Sequence, residues 1–406
     1  MAARRTLSDG AAYAVAAGVI GLGLFASVTP SPLYALYAER WHFSALTLTL
    51  IYATYAFGVL ATLLLAGRVS DEVGRRPVLL ASLAVLMASS VLFIFAGSAA
   101  WLFVARGLQG LATGAALSTA SAALLDLHPR RDPDGVGQTN GVASAAGLGL
   151  GMLVSSALVQ LGTAPRVLPY VVLLALFALA FAGAYWMREP VLDRRRFRLT
   201  AKRPGVPAAA RGPFVLASLA VLSSWSIGGL FFSLGPGLSD EIFHSTNVIA
   251  SGLGVLALAG SAAASQLFLG RTAPWIGACA GSLGLAAGIG LVVVAAATDS
   301  SAAYLGGSIL GGVGFGIAFL GGLRALVAAI PNEERANVMS AFYLAAYASL
   351  SAPAVLAGLT VQHLGLEDTF EIFGSIVAAL ALVVAALAWR TRPPAAIDAA
   401  AEPELV

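Results

Sequence analysis

The fold is decided by the stretch Gly67-Arg68-Val69-Ser70-Asp71-Glu72-Val73-Gly74-Arg75-Arg76-Pro77, which puts three arginines and two acids into a region that is otherwise apolar. One hydrophobic run ends just before it, at Ala66, and another begins just after it, at Val78. A short charged segment between two long apolar runs is typical of a loop between membrane-spanning helices. The stretch therefore predicts a tight turn at a membrane surface.

The composition agrees with a membrane protein. Of 406 residues, 59% are hydrophobic and only 11% are charged, whereas soluble domains carry roughly 25% charged residues. The formal net charge of +3 comes from basic residues in short segments between apolar runs. These positions predict contact with a bilayer whose inner leaflet is anionic, and not with nucleic acid.

No cofactor or metal is predicted. The single cysteine, Cys279, excludes an internal disulfide or a thiolate metal cluster. The glycine-rich runs lie inside apolar segments and lack the Gly-Lys-Ser/Thr ending of a phosphate-binding loop. No ATP-binding domain is therefore expected, and any active transport should be driven by an ion gradient or by a partner subunit.

Twelve apolar runs are long enough to cross a bilayer, since a spanning helix needs about 20 residues. Only helices or a closed barrel satisfy their backbone groups within hydrocarbon, and these runs are too long for barrel strands. The sequence therefore predicts an all-α polytopic protein. The runs, called spans 1 to 12 below, cover residues 11–37, 45–66, 77–97, 100–126, 136–161, 166–187, 213–235, 246–269, 274–296, 302–328, 336–362 and 368–389.

The basic residues predict the orientation, because Lys and Arg in short loops stay on the cytoplasmic side. If the N-terminus is cytoplasmic, all of the 23 basic residues except Arg40, Arg106 and Arg166 fall on the cytoplasmic side. Arg106 lies within span 4, and the other two lie outside. We call the two sides the arginine-rich face and the arginine-poor face. The prediction is a multi-pass protein of the cytoplasmic (inner) membrane with both termini in the cytoplasm.

The longest polar segment divides the chain into two halves. Residues 188–212 contain a basic cluster and several prolines, and they are predicted to be a cytoplasmic linker held at the inner leaflet. The expected units are a six-helix bundle over 1–187, a second over 213–389, and a cytoplasmic tail over 390–406.

Two sequence matches suggest that the halves are copies of each other, as in many transporters. Ser98-Ala99-Ala100-Trp101-Leu102, before span 4, matches Ser301-Ala302-Ala303-Tyr304-Leu305, before span 10. Gly67-Arg68 matches Gly270-Arg271 at the same offset of 203 positions. The second copy continues without an acid, which predicts an asymmetric gate.

The loop spacing of Gly67, Asp71, Gly74, Arg75 and Arg76 resembles the signature loop between helices 2 and 3 of the major facilitator superfamily of transporters. The loop also falls at the matching place, between spans 2 and 3 on the arginine-rich face. The resemblance implies a fold of twelve helices in two pseudo-symmetric bundles that rock against each other.

The resemblance also implies a role for this loop in gating. Asp71 is expected to meet the positive N-terminus of span 11 and to latch the arginine-rich side shut. Gly67 would allow close helix approach, and Gly74 a tight reversal. Asp126, at the end of span 4, could share Arg75 with Asp71. The alternative is that these charges only enforce the topology.

Arg106 is a candidate for ion coupling. An arginine within a span is costly unless it is paired or hydrated. The segment Arg106-Gly107-Leu108-Gln109-Gly110 resembles the family's fourth-helix motif, whose arginine is associated with proton coupling. The alternative is a structural arginine satisfied by backbone carbonyls. No acid lies at the middle of span 1, so Glu39, just past its end, is the other coupling candidate.

The resemblance implies that spans 1, 4, 7 and 10 line a central cavity for substrate. Tyr34 follows Pro30-Ser31-Pro32, where a kink is expected. An aromatic lining would suit a partly apolar organic molecule, although each ring could instead be helix-packing material. The candidate cavity residues are Tyr34, Gln109, Thr113, Trp225, Phe231, Phe232, Phe315, Phe319, Tyr343 and Tyr347.

The predicted function is secondary transport of a small, partly hydrophobic molecule by a monomer, as proton-coupled efflux. Span 5 has the glycines but lacks the Gly-Pro pair often found in exporters of the superfamily. A proton-linked or passive importer of a small metabolite therefore remains an alternative. A membrane-embedded enzyme and a transport-dead sensor are the other two.

Overall fold

The structure is a computed structural model that describes residues 6–66, 69–191, 205–330 and 334–392, and within these ranges it is helical without any strand. Gly67, Arg68 and most of the predicted linker and tail lie outside the described residues. A short helix, Val69–Val73, lies between spans 2 and 3, and a 3-10 turn, Ala208–Ala210, precedes span 7.

All twelve predicted spans are helices. Their bounds are: span 1, Asp9–Val28 with the 3-10 turn Ser31–Leu33 and the helix Tyr34–Trp41; span 2, Ala45–Ala66; span 3, Arg75–Ile94; span 4, Ala99–Leu127; span 5, Pro133–Leu161; span 6, Leu168–Trp186; span 7, Arg211–Ser233, followed by Gly235–Phe243; span 8, Val248–Ser251 and Leu253–Leu269; span 9, Pro274–Thr298; span 10, Ser301–Ala329; span 11, Arg335–Leu364; span 12, Leu366–Arg390.

Eleven of these helices are long and apolar enough to cross a membrane, and Leu253–Leu269 of span 8 is apolar but shorter. The all-α multi-pass prediction is therefore confirmed. Span 7 differs from the prediction, because its helix resumes after Ser233 and continues to Phe243.

The helices pack in two matching sets of six. Span 1 packs on spans 4, 5 and 6, and span 7 packs on spans 10, 11 and 12 in the same way. Spans 2 and 3 both pack on span 4, as spans 8 and 9 both pack on span 10. The two sets meet along spans 2 and 11 and along spans 5 and 8, an arrangement consistent with a pseudo-two-fold relation between the halves.

Glycines bring equivalent helices together in each half. A Cβ at Gly114 of span 4 would lie 2.8 Å from the Val59 carbonyl oxygen of span 2. A Cβ at Gly316 of span 10 would lie 2.6 Å from the Ala262 carbonyl oxygen of span 8. Such close backbone approach between helices in lipid requires small residues. One turn earlier, a Cβ at Gly110 would overlap the backbone of Tyr55, and a Cβ at Gly312 would overlap the backbone of Leu258.

Span 1 and span 7 are interrupted in the same way. The kink expected at Pro30-Ser31-Pro32 is present, and the helix resumes as Tyr34–Trp41. Span 7 breaks at Leu234 and resumes as Gly235–Phe243. Each resumed helix ends at a histidine in the left-handed conformation, His42 at φ 50° and His244 at φ 47°. The similarity between the two halves therefore extends to the breaks in spans 1 and 7.

Replacing Gly312 by alanine should destabilise the fold. Its Cβ would overlap the carbonyl of Leu258, and overpacking of this kind costs about 1–3 kcal/mol. The control is Gly306→Ala on the same helix, where a Cβ would meet no atom within 4 Å. The thermal unfolding temperature of purified protein should fall for Gly312→Ala only. Equal unfolding temperatures would contradict the close contact.

Candidate functional site

The site begins at the break in span 1. Because Pro30 has no N–H, the carbonyl of Ala26 four residues earlier loses its helical donor. Gln109 of span 4 replaces that donor, with its Nε2 3.0 Å from the Ala26 oxygen. One residue later, the Ser27 carbonyl accepts a hydrogen bond from the guanidinium of Arg106 at 2.8 Å. Two polar residues of span 4 therefore cap the broken helix.

Arg106 is completely buried. Its Nη1 also donates to Oε1 of Gln109 at 2.7 Å. Its guanidinium carbon lies 4.6 Å from the ring centroid of Tyr55 and 5.6 Å from that of Tyr52, both on span 2. Rings at this distance stabilise a cation. The salt bridges found in the described part of the chain do not include Arg106.

Several polar atoms around Arg106 have no hydrogen-bond partner among the described residues. They are Nε and Nη2 of Arg106 itself and the hydroxyl of Tyr34. Tyr34 is 2% exposed, and its phenol interacts electrostatically with Arg106. Buried polar groups are nearly always hydrogen-bonded, so such a cluster marks a place for water or a ligand. A purely structural role for Arg106 therefore explains the hydrogen bonds of its Nη1 but leaves Nε and Nη2 unexplained.

The second half contributes a group of touching aromatic rings. The ring centroid of Trp225 lies 5.2 Å from that of Tyr347 and 5.7 Å from that of Phe319. Tyr347 belongs to one apolar cluster with Tyr52 and Tyr55, the two residues that flank Arg106, and the spans that carry them, 11 and 2, pack against each other. We call the series of rings from Tyr52 and Tyr55 through Tyr347 to Trp225 the aromatic path.

Other predicted cavity residues extend this path. Tyr343 packs beside Phe342 at 5.9 Å, and Phe342 in turn lies 6.4 Å from Phe319. Phe342 was not predicted as a cavity residue, because it is one more ring in an apolar run. Phe232 and Phe315 both lie against Gly228 of span 7.

Phe231 and Glu39 are placed elsewhere. Phe231 is completely buried and stacks on Tyr304 at 6.1 Å, with Phe370 at its edge. It therefore packs inside the second half. Glu39 is exposed on the helix Tyr34–Trp41 at the arginine-poor face, whereas Arg106 is buried beside Ser27.

A hydrogen bond joins the two halves at the arginine-poor side. Pro236 has no N–H for the carbonyl of Phe232, again four residues earlier. The Ser31 hydroxyl, in the break of span 1, donates to this carbonyl at 2.6 Å in a buried position. On the same side, span 2 and span 11 are in close contact, because a Cβ added at Gly358 of span 11 would overlap the side chain of Thr49 of span 2. We call the contact of Ser31 with Phe232 and of Thr49 with Gly358 the closure.

The charged loop at the arginine-rich face is organised by Arg75. Its Nε donates to Asp126 at 3.0 Å, and its Nη1 donates to Ser70 at 2.7 Å and to Asp71. The structure thus brings Asp71 and Asp126 to one arginine. The Asp71 side chain is 53% exposed, and ion pairs in water contribute only about 0–1 kcal/mol. Its negative charge remains available to a partner.

Glu189 is a member of this network that sequence analysis missed. Its carboxylate accepts from the backbone N–H of Arg75 at 2.8 Å and of Arg76 at 3.0 Å. It therefore caps the N-terminus of span 3, next to Gly74, which turns the chain at φ 112°. A carboxylate is favourable at a helix N-terminus. No local pattern could reveal it, since more than a hundred residues separate Glu189 from the helix that it caps.

In the equivalent loop of the second half, an arginine is bonded to backbone carbonyls. Arg324 of span 10 donates to the carbonyl of Gly270 at 2.9 Å and to that of Thr272 at 3.0 Å. This loop is consequently held by an arginine that lies on span 10, whereas the first loop is held by Arg75 at its own end. The asymmetric gate stays a prediction from the acid that the second loop lacks in sequence.

Two acids on the helix Gly235–Phe243, beyond the spanning segment Arg211–Ser233, have raised pKa values. Burial raises the pKa of Asp240, which accepts a hydrogen bond from Ser251. Burial also raises the pKa of Glu241, with a further increase from the nearby charge of Glu367. Sequence analysis did not single out either acid. Among the described residues there is no group of His, Cys, Asp and Glu that could hold a metal.

Comparison with known proteins places this geometry in context. A family model described as Major Facilitator Superfamily matches residues 14–351. A gentisate transporter of Corynebacterium glutamicum is 35% identical over 95 residues, covering 23% of this chain and 21% of that protein. The multidrug resistance protein MdtL of Escherichia coli is 28% identical over 171 residues, covering 41% of this chain and 39% of that protein. The matched part of this chain thus covers less than half the length of either relative.

A solved structure has the same architecture over almost its full length. The human organic anion transporter MFSD10 (TETRAN) is matched over 94% of this chain and 99% of that chain, with a TM-score of 0.67. The sequence identity is 16%, so the likeness is one of fold.

Proposed function

Since this chain belongs to the Major Facilitator Superfamily, we propose that it moves a small, partly apolar organic molecule across the cytoplasmic membrane by alternating access between its two halves. Family membership makes it a transporter and not a membrane-embedded enzyme. In the proposed cycle the substrate leaves the cell in exchange for protons, and both termini lie in the cytoplasm.

The observation that carries this proposal is the aromatic path across the interface of the halves. Tyr52 and Tyr55 on one side, and Tyr347 and Trp225 on the other, supply apolar faces at the place where the halves meet. Aromatic walls with a few polar groups bind organic molecules by burial and stacking. At one end of the path, Arg106 and Tyr34 supply hydrogen-bond donors that have no acceptor among the described residues.

Alternating access requires contacts that form on one side and break on the other. We assign the closure at Ser31 and Thr49 to a state that is shut toward the arginine-poor face. At the arginine-rich face, Gln138 of span 5 also bonds the halves, through the carbonyls of Gln266 and Leu267 of span 8. In the opposite state Asp71 would latch the arginine-rich side by meeting the N-terminus of span 11. The exposure of the Asp71 carboxylate supports this role.

We propose that proton coupling acts through Arg106. Arg106 is hydrogen-bonded to the Ser27 carbonyl at the break in span 1. A change in the charges around Arg106 would therefore alter the contact that positions this helix. Asp240 and Glu241, whose pKa values are raised by burial, join Glu39 as acids that could exchange the proton at the arginine-poor face.

Uptake of a small organic acid is a second candidate function. It is favoured by the unpartnered nitrogens of Arg106, which could bind a carboxylate. The similarity of part of the chain to a gentisate transporter supports it as well. Proteoliposomes distinguish the two: an outside-acid gradient that drives accumulation of an aromatic acid would favour uptake.

The aromatic path can be tested with Trp225→Leu in proteoliposomes, using a panel of lipophilic cations, neutral aromatic compounds and aromatic acids. Loss of its stacking surface should raise the KM for the transported compound about tenfold. The control is Trp101→Leu, because Trp101 is 43% exposed on span 4. An unchanged KM in Trp225→Leu would remove this ring from the substrate path.

Arg106→Ala should make transport independent of an imposed pH gradient while substrate exchange without a gradient continues. The reason is that the variant removes the buried cation on which coupling is proposed to depend. Arg106→Lys keeps the charge and should keep the gradient dependence. If Arg106→Ala responds to the gradient as the wild type does, coupling does not use this residue.

Ser31→Ala and Asp71→Asn should shift the two states in opposite directions. Ser31→Ala leaves the Phe232 carbonyl unsatisfied, so the arginine-poor side should open, whereas Asp71→Asn should favour the state closed there. Pulsed EPR distances between spin labels at the arginine-poor ends of spans 1 and 7 measure the shift. Ser98→Ala, whose side chain caps no helix, is the control. Identical distances in all the proteins would exclude both contacts from gating.

A further inference from the structure

A second cavity lies on the arginine-poor face, away from the interface of the halves. It has a volume of about 290 Å³ and is formed by the ends of spans 1, 3 and 6 with the segments that follow or precede them. Arg40 and Trp41 line it from span 1, Phe95 from the end of span 3, and Arg166 from the segment before span 6.

The two arginines of this cavity are the two basic residues that the sequence places outside on the arginine-poor face. They are far apart in the chain, yet they line one space. Within the described ranges, neither Arg40 nor Arg166 forms a salt bridge or a side-chain hydrogen bond with the protein. The acid next to Arg40 in sequence, Glu39, is exposed and does not line the cavity. The cavity therefore carries positive charge that no acid of its lining neutralises.

Four of the other eight lining residues are aromatic. Tyr37 and Trp41 are stacked with ring centroids 4.9 Å apart. The Tyr37 hydroxyl donates a hydrogen bond to the hydroxyl of the buried Tyr170, with 3.5 Å between the two oxygens. Phe95 is 71% exposed at the end of span 3. Aromatic residues at the ends of spanning helices lie at the level of the lipid headgroups. The cavity is thus at the depth where lipid phosphates are found.

We propose that this cavity binds the phosphate of an anionic phospholipid of the outer leaflet, with Arg40 and Arg166 as its ligands. Guanidinium groups bind phosphate through paired N–H donors. A volume of about 290 Å³ accommodates a headgroup and not a whole lipid. The acyl chains then run from the cavity along the exposed side of Phe95 into the bilayer.

The site is separate from the substrate path, because its lining residues include none of those around Arg106 or Trp225. A bound lipid would tie span 1 to spans 3 and 6 at the end of the helix Tyr34–Trp41. The proposal holds whether or not the chain transports the compounds considered above.

Native mass spectrometry of the full chain in detergent, with equimolar phosphatidylglycerol and phosphatidylcholine, tests the site. The wild type should retain one phosphatidylglycerol more than the double variant Arg40→Gln/Arg166→Gln, whose preference for that lipid should fall about tenfold. Arg271→Gln, which changes an exposed arginine on the opposite face, should behave as the wild type. Equal retention by the wild type and the double variant would overturn the proposal.

Two further measurements complete the test. Arg40→Gln alone changes an exposed side chain that does not hold the fold together, and it should lose part of the preference; full retention would count against the site. Glycerol 1-phosphate carries the same phosphate without acyl chains and should not displace the lipid at equal concentration. Displacement there would assign the cavity to a soluble phosphate and overturn the lipid as its occupant.

Discussion

Two missing backbone N–H groups, at Pro30 and Pro236, determine how the centre of this protein is held together. Each proline leaves a carbonyl without its helical donor, at Ala26 and at Phe232. An unsatisfied carbonyl within a membrane costs several kcal/mol. The first is satisfied by Gln109 of span 4, and the second by Ser31 of span 1. The breaks therefore connect three helices.

This arrangement joins the candidate substrate site to the closure. Arg106 is bonded to the Ser27 carbonyl at the end of the first segment of span 1. Ser31, four residues further on, forms the hydrogen bond across the halves. In the proposed cycle, a change in the charge or occupancy around Arg106 would act on the same short stretch of backbone that carries the Ser31 hydrogen bond. Substrate binding and gating can consequently be coupled without a long chain of intermediate contacts.

The two halves share a backbone plan and differ in their charges. Glycines at equivalent positions, such as Gly114 and Gly316, allow the same close helix contacts in each half. At the arginine-rich face, Arg75 pairs with Asp71 and Asp126, and Arg324 is bonded to the carbonyls of Gly270 and Thr272. The loop after span 2 carries an acid that the loop after span 8 lacks in sequence, and this difference is the basis for proposing a gate that works mainly through the first half.

Local properties of the sequence determined the number of spans, the kink at Pro30 and the resemblance of the loop at Asp71 to a transporter family, because apolar length, proline and charge act over short stretches. Only the tertiary structure decided which side chains meet. Glu189 caps span 3, Trp225 packs on Tyr347 while Phe231 stacks on Tyr304, and Arg40 shares a cavity with Arg166. The physical reason is that these contacts join distant helices, and the packing that selects them leaves no periodic signal in the chain.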